Sequence, residues 1–121
     1  MAFDGGIPRV TVHPAEDRID VTFRYPSTKR PVGFDLTSGT VAAEDMATGL
    51  DTSTGVLNTT VATVSSPDAN GQQLVTAKVK GGGLDDSEHK VTITSSLTDG
   101  STVKTFVDVF ILVVTDRVEE C

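Results

Sequence analysis

Along most of this chain apolar and polar residues alternate with a period of two, the spacing of a strand buried on one side and wet on the other. Ile19, Val21, Phe23 and Tyr25 alternate with Asp20, Thr22 and Arg24. Val75, Ala77 and Val79 alternate with Lys78 and Lys80. His89, Val91, Ile93, Ser95 and Leu97 alternate with Lys90, Thr92, Thr94 and Ser96. Val10 and Val12 mark a short first strand, and Phe34 and Leu36 another short piece. Residues 56–64 read as a strand with Thr59, Val61 and Thr63 on one face. Residues 41–49 fit either a turn of helix or an edge strand.

Turn formers punctuate these runs: Asp4-Gly5-Gly6, Pro14, Pro26, Ser38-Gly39, Asn70-Gly71, Gly81-Gly82-Gly83 and Asp99-Gly100 among them. Short strands between regularly spaced turns predict an all-β sandwich or barrel of antiparallel strands. Thr98-Asp99-Gly100-Ser101 joins two alternating runs, so a hairpin is expected there. The triple glycine is expected to connect sheet edges and to need φ > 0 somewhere.

The run after that hairpin, residues 102–115, departs from simple alternation. Its odd positions are Val103, Thr105, Val107, Val109, Ile111 and Val113. Its even positions begin with Lys104 and include Asp108, but Phe106, Phe110, Leu112 and Val114 share that face. A strand at the surface of a sandwich is apolar on one face only. The second apolar face therefore needs a cover: either a loop or the N-terminal arm of the chain itself, or another subunit, in which case Phe106, Phe110, Leu112 and Val114 are the expected interface residues.

Composition supports the β reading. The 121 residues include 17 Val and 18 Thr, no Trp, one Tyr and five Phe, so the core must be aliphatic. This length fits a single domain. Ten basic residues stand against 17 acidic ones, giving a net charge of −7. The basic residues are scattered, with Lys29-Arg30 the densest pair. Nucleic-acid binding needs a basic face, so neither nucleic acid nor an anionic membrane is an expected partner. The longest apolar run, residues 109–114, is too short to span a bilayer as a helix. The first residues show no charged-then-apolar leader, so a cytoplasmic product that is not secreted is expected.

Candidate chemistry is sparse. His13 and His89 lie far apart, which gives no zinc spacing. Ser87-Glu88-His89 is not read as a triad, because consecutive strand residues face opposite ways. His89 reads instead as an inward or edge residue of a strand. Asp85-Asp86-Ser87-Glu88 reads as a solvated loop rather than a calcium loop. Gly81-Gly82-Gly83 lacks the Lys and hydroxyl residue of a phosphate loop. No catalytic residue, metal site, cofactor or small-molecule substrate is therefore expected. The single cysteine, Cys121, cannot form an internal disulfide; it is an incidental thiol or half of an intermolecular disulfide.

The stretch Val75-Thr76-Ala77-Lys78-Val79-Lys80-Gly81-Gly82-Gly83, then Glu88-His89-Lys90-Val91-Thr92-Ile93-Thr94, then Thr98-Asp99-Gly100 and a long last strand, resembles the Ig-like small structural proteins of tailed bacteriophages. Thr54-Gly55-Val56 resembles a turn of the same family. The resemblance spans about residues 50–116; His89 replaces a usual Tyr, and Gly83 adds a third glycine. It implies an Ig-like antiparallel β-sandwich of about seven strands over residues 10–116, and a virion component acting through symmetric oligomeric assembly with itself and other virion proteins. The position implied is a capsid decoration, a neck or a tail. Flanking the sandwich, residues 1–9 are expected to form an extended arm anchored by Phe3 and Ile7, and residues 117–121 an acidic tail. The contrasting expectation is an Ig-like adhesion or carbohydrate-binding module. That reading needs an aromatic platform, which a chain with no Trp and one Tyr lacks.

Overall fold

A computed structural model describes residues 8–116; Phe3, Ile7, Cys121 and the acidic tail lie outside the described residues. Seven strands form in chain order: β1 (Arg9–Val12), β2 (Ile19–Tyr25), β3 (Asp35–Asp45), β4 (Val61–Val64), β5 (Gln73–Val79), β6 (Ser87–Thr98) and β7 (Val103–Val114). A single helical turn, α1 (Ser53–Val56), precedes β4. The all-β expectation holds.

The strands make one mixed sheet in the order β1-β7-β6-β3-β4-β5-β2. All its pairs are antiparallel except β1 with β7, which run parallel from Arg9↔Ile111 to Val12↔Val114. The fully antiparallel expectation is corrected at that one pair. The sheet turns its corner inside β4. Val61 and Ala62 pair with β3, whereas Thr63 and Val64 pair with β5. The turn brings β2 back over β7, so the sheet is nearly a closed barrel. Phe23 meets Phe110 with ring centroids 6.0 Å apart, and Tyr25 stacks on Phe106 at 5.6 Å.

Two segments depart from the periodicity. Residues 35–45 are one long strand near the middle of the sheet, so of the two readings of residues 41–49 the strand holds as far as Asp45, though not at an edge and not separate from the piece at Leu36. Leu36, Val41 and Ala43 face inward from it, and a bulge at Thr37 shifts its register against β6. The bulge breaks the alternation that would have announced a single strand. Residues 53–56, expected to begin a turn and a strand, instead close a helical turn. The Asp51 carboxylate accepts the Ser53 N–H at 2.9 Å, and the turn buries Val56.

Buried polar groups tie the loops to the core. The Gln73 side chain completes a strand-like pairing with β3. Its Oε1 accepts the Leu36 N–H at 2.8 Å, and its amide donates to the Leu36 and Ser65 carbonyls at 2.9 Å each. Arg30, also buried, donates to the Phe34 carbonyl at 2.9 Å, to Asp35 at 2.7 Å and to the Gly71 carbonyl. These contacts join the loop before β3 to the loop before β5. Such charge-assisted bonds offset the cost of burying the guanidinium.

The triple glycine behaves as expected, with positive φ at Gly82 (62°) and Gly83 (71°). The two differ in surroundings. A Cβ on Gly82 would lie 2.1 Å from the Gly55 carbonyl oxygen, whereas one on Gly83 would meet open space. We expect Gly83→Ala to cost about 1–2 kcal/mol, the left-handed backbone penalty alone. Gly82→Ala adds a backbone clash and costs clearly more. Denaturant melts of the two variants check this, and equal losses would contradict the close approach of Gly82 to α1.

Candidate interaction surface

The phase of β7 decides which of its faces is available. Its even positions point inward: Phe110, Leu112 and Val114 are fully buried, and Phe106 is half-buried against Tyr25. This corrects the interface assignment of Phe110, Leu112 and Val114. They belong to the chain's own core, with Phe106 packed against it, and are covered by the returning end of the sheet. The bulkier side chains take the inside because β2 returns over them, leaving the slimmer valines outward.

The outer face is built from the odd positions of β7 and its neighbours across the sheet. One row runs Val61, Thr40, Thr94, Val107 from β4 to β7. The rows beside it are Ser38, Ser96, Thr105 and Ala42, Thr92, Val109. None of these side chains is charged. Val107 and Val61 are each 61 % exposed, and Val103, at the strand's start, is 68 % exposed. Short hydroxyl and β-branched side chains standing on one pleat give a smooth, half-apolar surface.

Charge returns at both ends of that face: at one end Asp35, held by Arg30, shares a row with Thr98 and Val103, and the other end carries more of it. Glu44, Lys90, Ile111 and Arg9 form the next row, and Glu88 lies beside Val113. Arg9 of β1 and Glu88 of β6 pair at 2.9 Å, so their side chains cross over β7 between them. That crossing accounts for the burial of Ile111, which lies outside the main core cluster.

The polar residues singled out from the sequence are engaged in structural contacts. His89 is fully buried on the core side of β6. Ser87 shares its face, two residues away, and the Ser87 Oγ lies 2.8 Å from His89 Nε2. Thr52 Oγ1 lies 2.9 Å from Nδ1. The Ser87 hydroxyl is itself directed at the Leu84 carbonyl. This places the imidazole proton on Nε2, with Thr52 donating to Nδ1. Glu88 points to the opposite face toward Arg9, so the three neighbours form no triad. Burial holds the His89 pKa below its usual value, with Asp45 opposing the shift weakly. In the acidic run, Asp85 accepts the Asp116 N–H at 2.9 Å. Among the described residues no cluster of three or more His, Cys, Asp or Glu has metal-binding geometry.

Sequence reasoning missed Arg30 and Gln73. The first was visible only as half of a basic pair in a loop, and the second carries no signal, because its three partners come from distant segments. No family model, curated protein or solved structure matches this chain.

Phe110→Ala should cost about 3–5 kcal/mol, the range for emptying a large aromatic site in a core. Val107→Ala on the same strand should change stability by no more than about 0.5 kcal/mol. Equal effects in a denaturant melt would reverse the phase assigned to β7. His89 gives a pH signature. Its folded-state pKa lies below the unfolded value of about 6.5, so the unfolded chain takes up the proton first. Stability is full above that value and falls as pH drops toward the folded-state pKa. The gap in melting temperature between the parent and His89→Gln should therefore narrow on acidification from neutrality to about pH 5. A constant gap would show that His89 does not titrate in that window.

Proposed function

We propose that this chain is a non-enzymatic structural subunit of a tailed-phage virion, serving as a capsid decoration, neck or tail component. It is made in the host cytoplasm and works by symmetric assembly with itself and other virion proteins. The observation that carries this reading is the uncharged centre of the outer face of β4, β3, β6 and β7, with Val61 and Val107 exposed on it. On a chain of net charge −7, a broad neutral face is where a second polypeptide approaches with least repulsion.

We read the curled sheet as an Ig-like sandwich. One layer is β2, β5 and the second half of β4; the other is β1, β7, β6, β3 and the first half of β4. This agrees with the Gly-Gly, strand, turn, long-strand pattern of residues 75–114. The rings of Tyr25 and Phe110 are buried, and those of Phe23, Phe34 and Phe106 pack against the core. The described residues thus offer no aromatic platform on which a sugar could stack, which weighs against a carbohydrate-binding module.

Mass spectrometry of particles purified from a producing host tests the reading. The chain should be recovered in many copies per particle, and Val61→Lys with Val107→Lys should reduce its incorporation. A chain that stays in the soluble lysate and is absent from washed particles would refute the proposal.

A further inference from the structure

The edge of β7 carries an observation that the outer face does not explain. β1 covers only the second half of β7. The Ile111 N–H donates to the Pro8 carbonyl at 2.8 Å and the Thr115 N–H to the Val12 carbonyl at 3.0 Å. Odd residues of β7 therefore direct their backbone groups away from β6. Among the described residues, nothing pairs with the outward N–H and C=O groups of Val103, Thr105, Val107 and Val109. A bare edge of this length is a template for another strand.

The side chains of that edge are patterned. Lys104 and Asp108 share the inward-facing set with Phe106 between them. The Lys104 ammonium lies over the Phe34 ring, 5.5 Å from its centroid. Asp108 borders a shallow groove with Tyr25, Phe106 and Val107. Its Oδ2 is buried and has no hydrogen-bond partner among the described residues. A buried carboxylate oxygen without a donor is costly, and such a group normally has a partner.

We propose that two copies of this chain join by antiparallel pairing of their β7 edges about a twofold axis at Phe106, with Lys104 of each copy opposite Asp108 of the other. The reasoning is one of register. Strand addition must match odd residues with odd residues, because only they present backbone groups to the edge. Pairing Val103 with Val109 and Thr105 with Val107 uses the whole free edge from both copies. That same register sets Lys104 against Asp108 twice and Phe106 against itself. Slipping by two residues in either direction sets like against unlike and breaks both charge pairs. Directly opposed residues of an antiparallel pair point to one face, so the ammonium reaches the groove where the Asp108 oxygen lacks a donor. The interface is isologous, as a twofold dimer requires. This deepens the assembly reading by naming one of its contacts, a second copy on the β7 edge.

Sedimentation equilibrium on the full chain tests the pairing, with circular dichroism to confirm that each variant folds. The parent should dimerise. Lys104→Asp and Asp108→Lys should each weaken the dimer by at least about tenfold, since like charges would then face each other. The double swap should restore the dimer. Val107→Pro should abolish it while leaving the β6–β7 ladder intact, because that N–H points to the bare edge. A parent that stays monomeric overturns the inference, as does a dimer indifferent to all of these variants. A dimer lost on deleting residues 1–8 but insensitive to Val107→Pro would point to an exchanged arm and also overturns it. The assembly reading is separable, because it falls only if the chain is absent from particles. An edge that fails while Val61→Lys still blocks incorporation would leave that reading standing.

Discussion

The structure depends on one closure: the return of β2 across the inner face of β7. A sheet of seven strands with one greasy face has to bury that face, and here it does so against its own other end. The rings of Phe23 and Phe110, and of Tyr25 and Phe106, are the contact between the two ends. Burying Phe110 and Tyr25 removes the two largest side chains of the core from water, each contributing about 1.5–3 kcal/mol. Everything outside follows from that phase. Once the even positions of β7 are committed inward, its valines must face out.

This phase was the point the sequence left undecided. Five of the six odd positions and four of the six even positions of β7 are apolar, so the period-two rule fits either orientation, and a one-residue change of phase exchanges the faces. Lys104 and Asp108 tilted the reading toward an outward even face, since charged residues are rarely inside. They escape that rule because both stand on the half of β7 that β1 does not cover, near the open side of the barrel. The regular hairpin of β6 and β7, by contrast, was legible from Asp99-Gly100. There the Asp99 carboxylate accepts the Ser101 and Thr102 N–H groups at 2.8 Å each, and those bonds hold its pKa below the usual value. Local chemistry of that kind can be read from a sequence. A returning strand cannot, because its partner is set by the path of the whole sheet.

The same distinction separates the polar groups. His89 and Asp108 both lie on inward-facing positions of adjacent strands, and burial shifts both toward the neutral form: the imidazole pKa falls and the carboxyl pKa rises. His89 has hydroxyl partners on both nitrogens, supplied by Ser87 on its own strand and by Thr52 just before α1. Its burial is settled within the chain. Gly81 approaches the His13 and Pro14 carbonyls so closely that no Cβ would fit, which seats the loop after β1 against the end of β5.

Asp108 has no such settlement, and its position shows why. The closed end of β7 carries β1, the Arg9–Glu88 pair and the buried Ile111. The other end carries exposed Val103 and Val107 and, among the described residues, unpaired backbone and a carboxylate oxygen with no donor. Natural edge strands are often guarded by an inward charge, since a lone chain cannot add to the edge without burying it further. A guard of that kind excludes every incoming strand except one that brings the opposite charge to the same place. Lys104, four residues away and on the same face, is that charge when the incoming strand is another copy running the other way. Under the proposed pairing, one pair of residues thereby both disfavours foreign strands and accepts the chain's own.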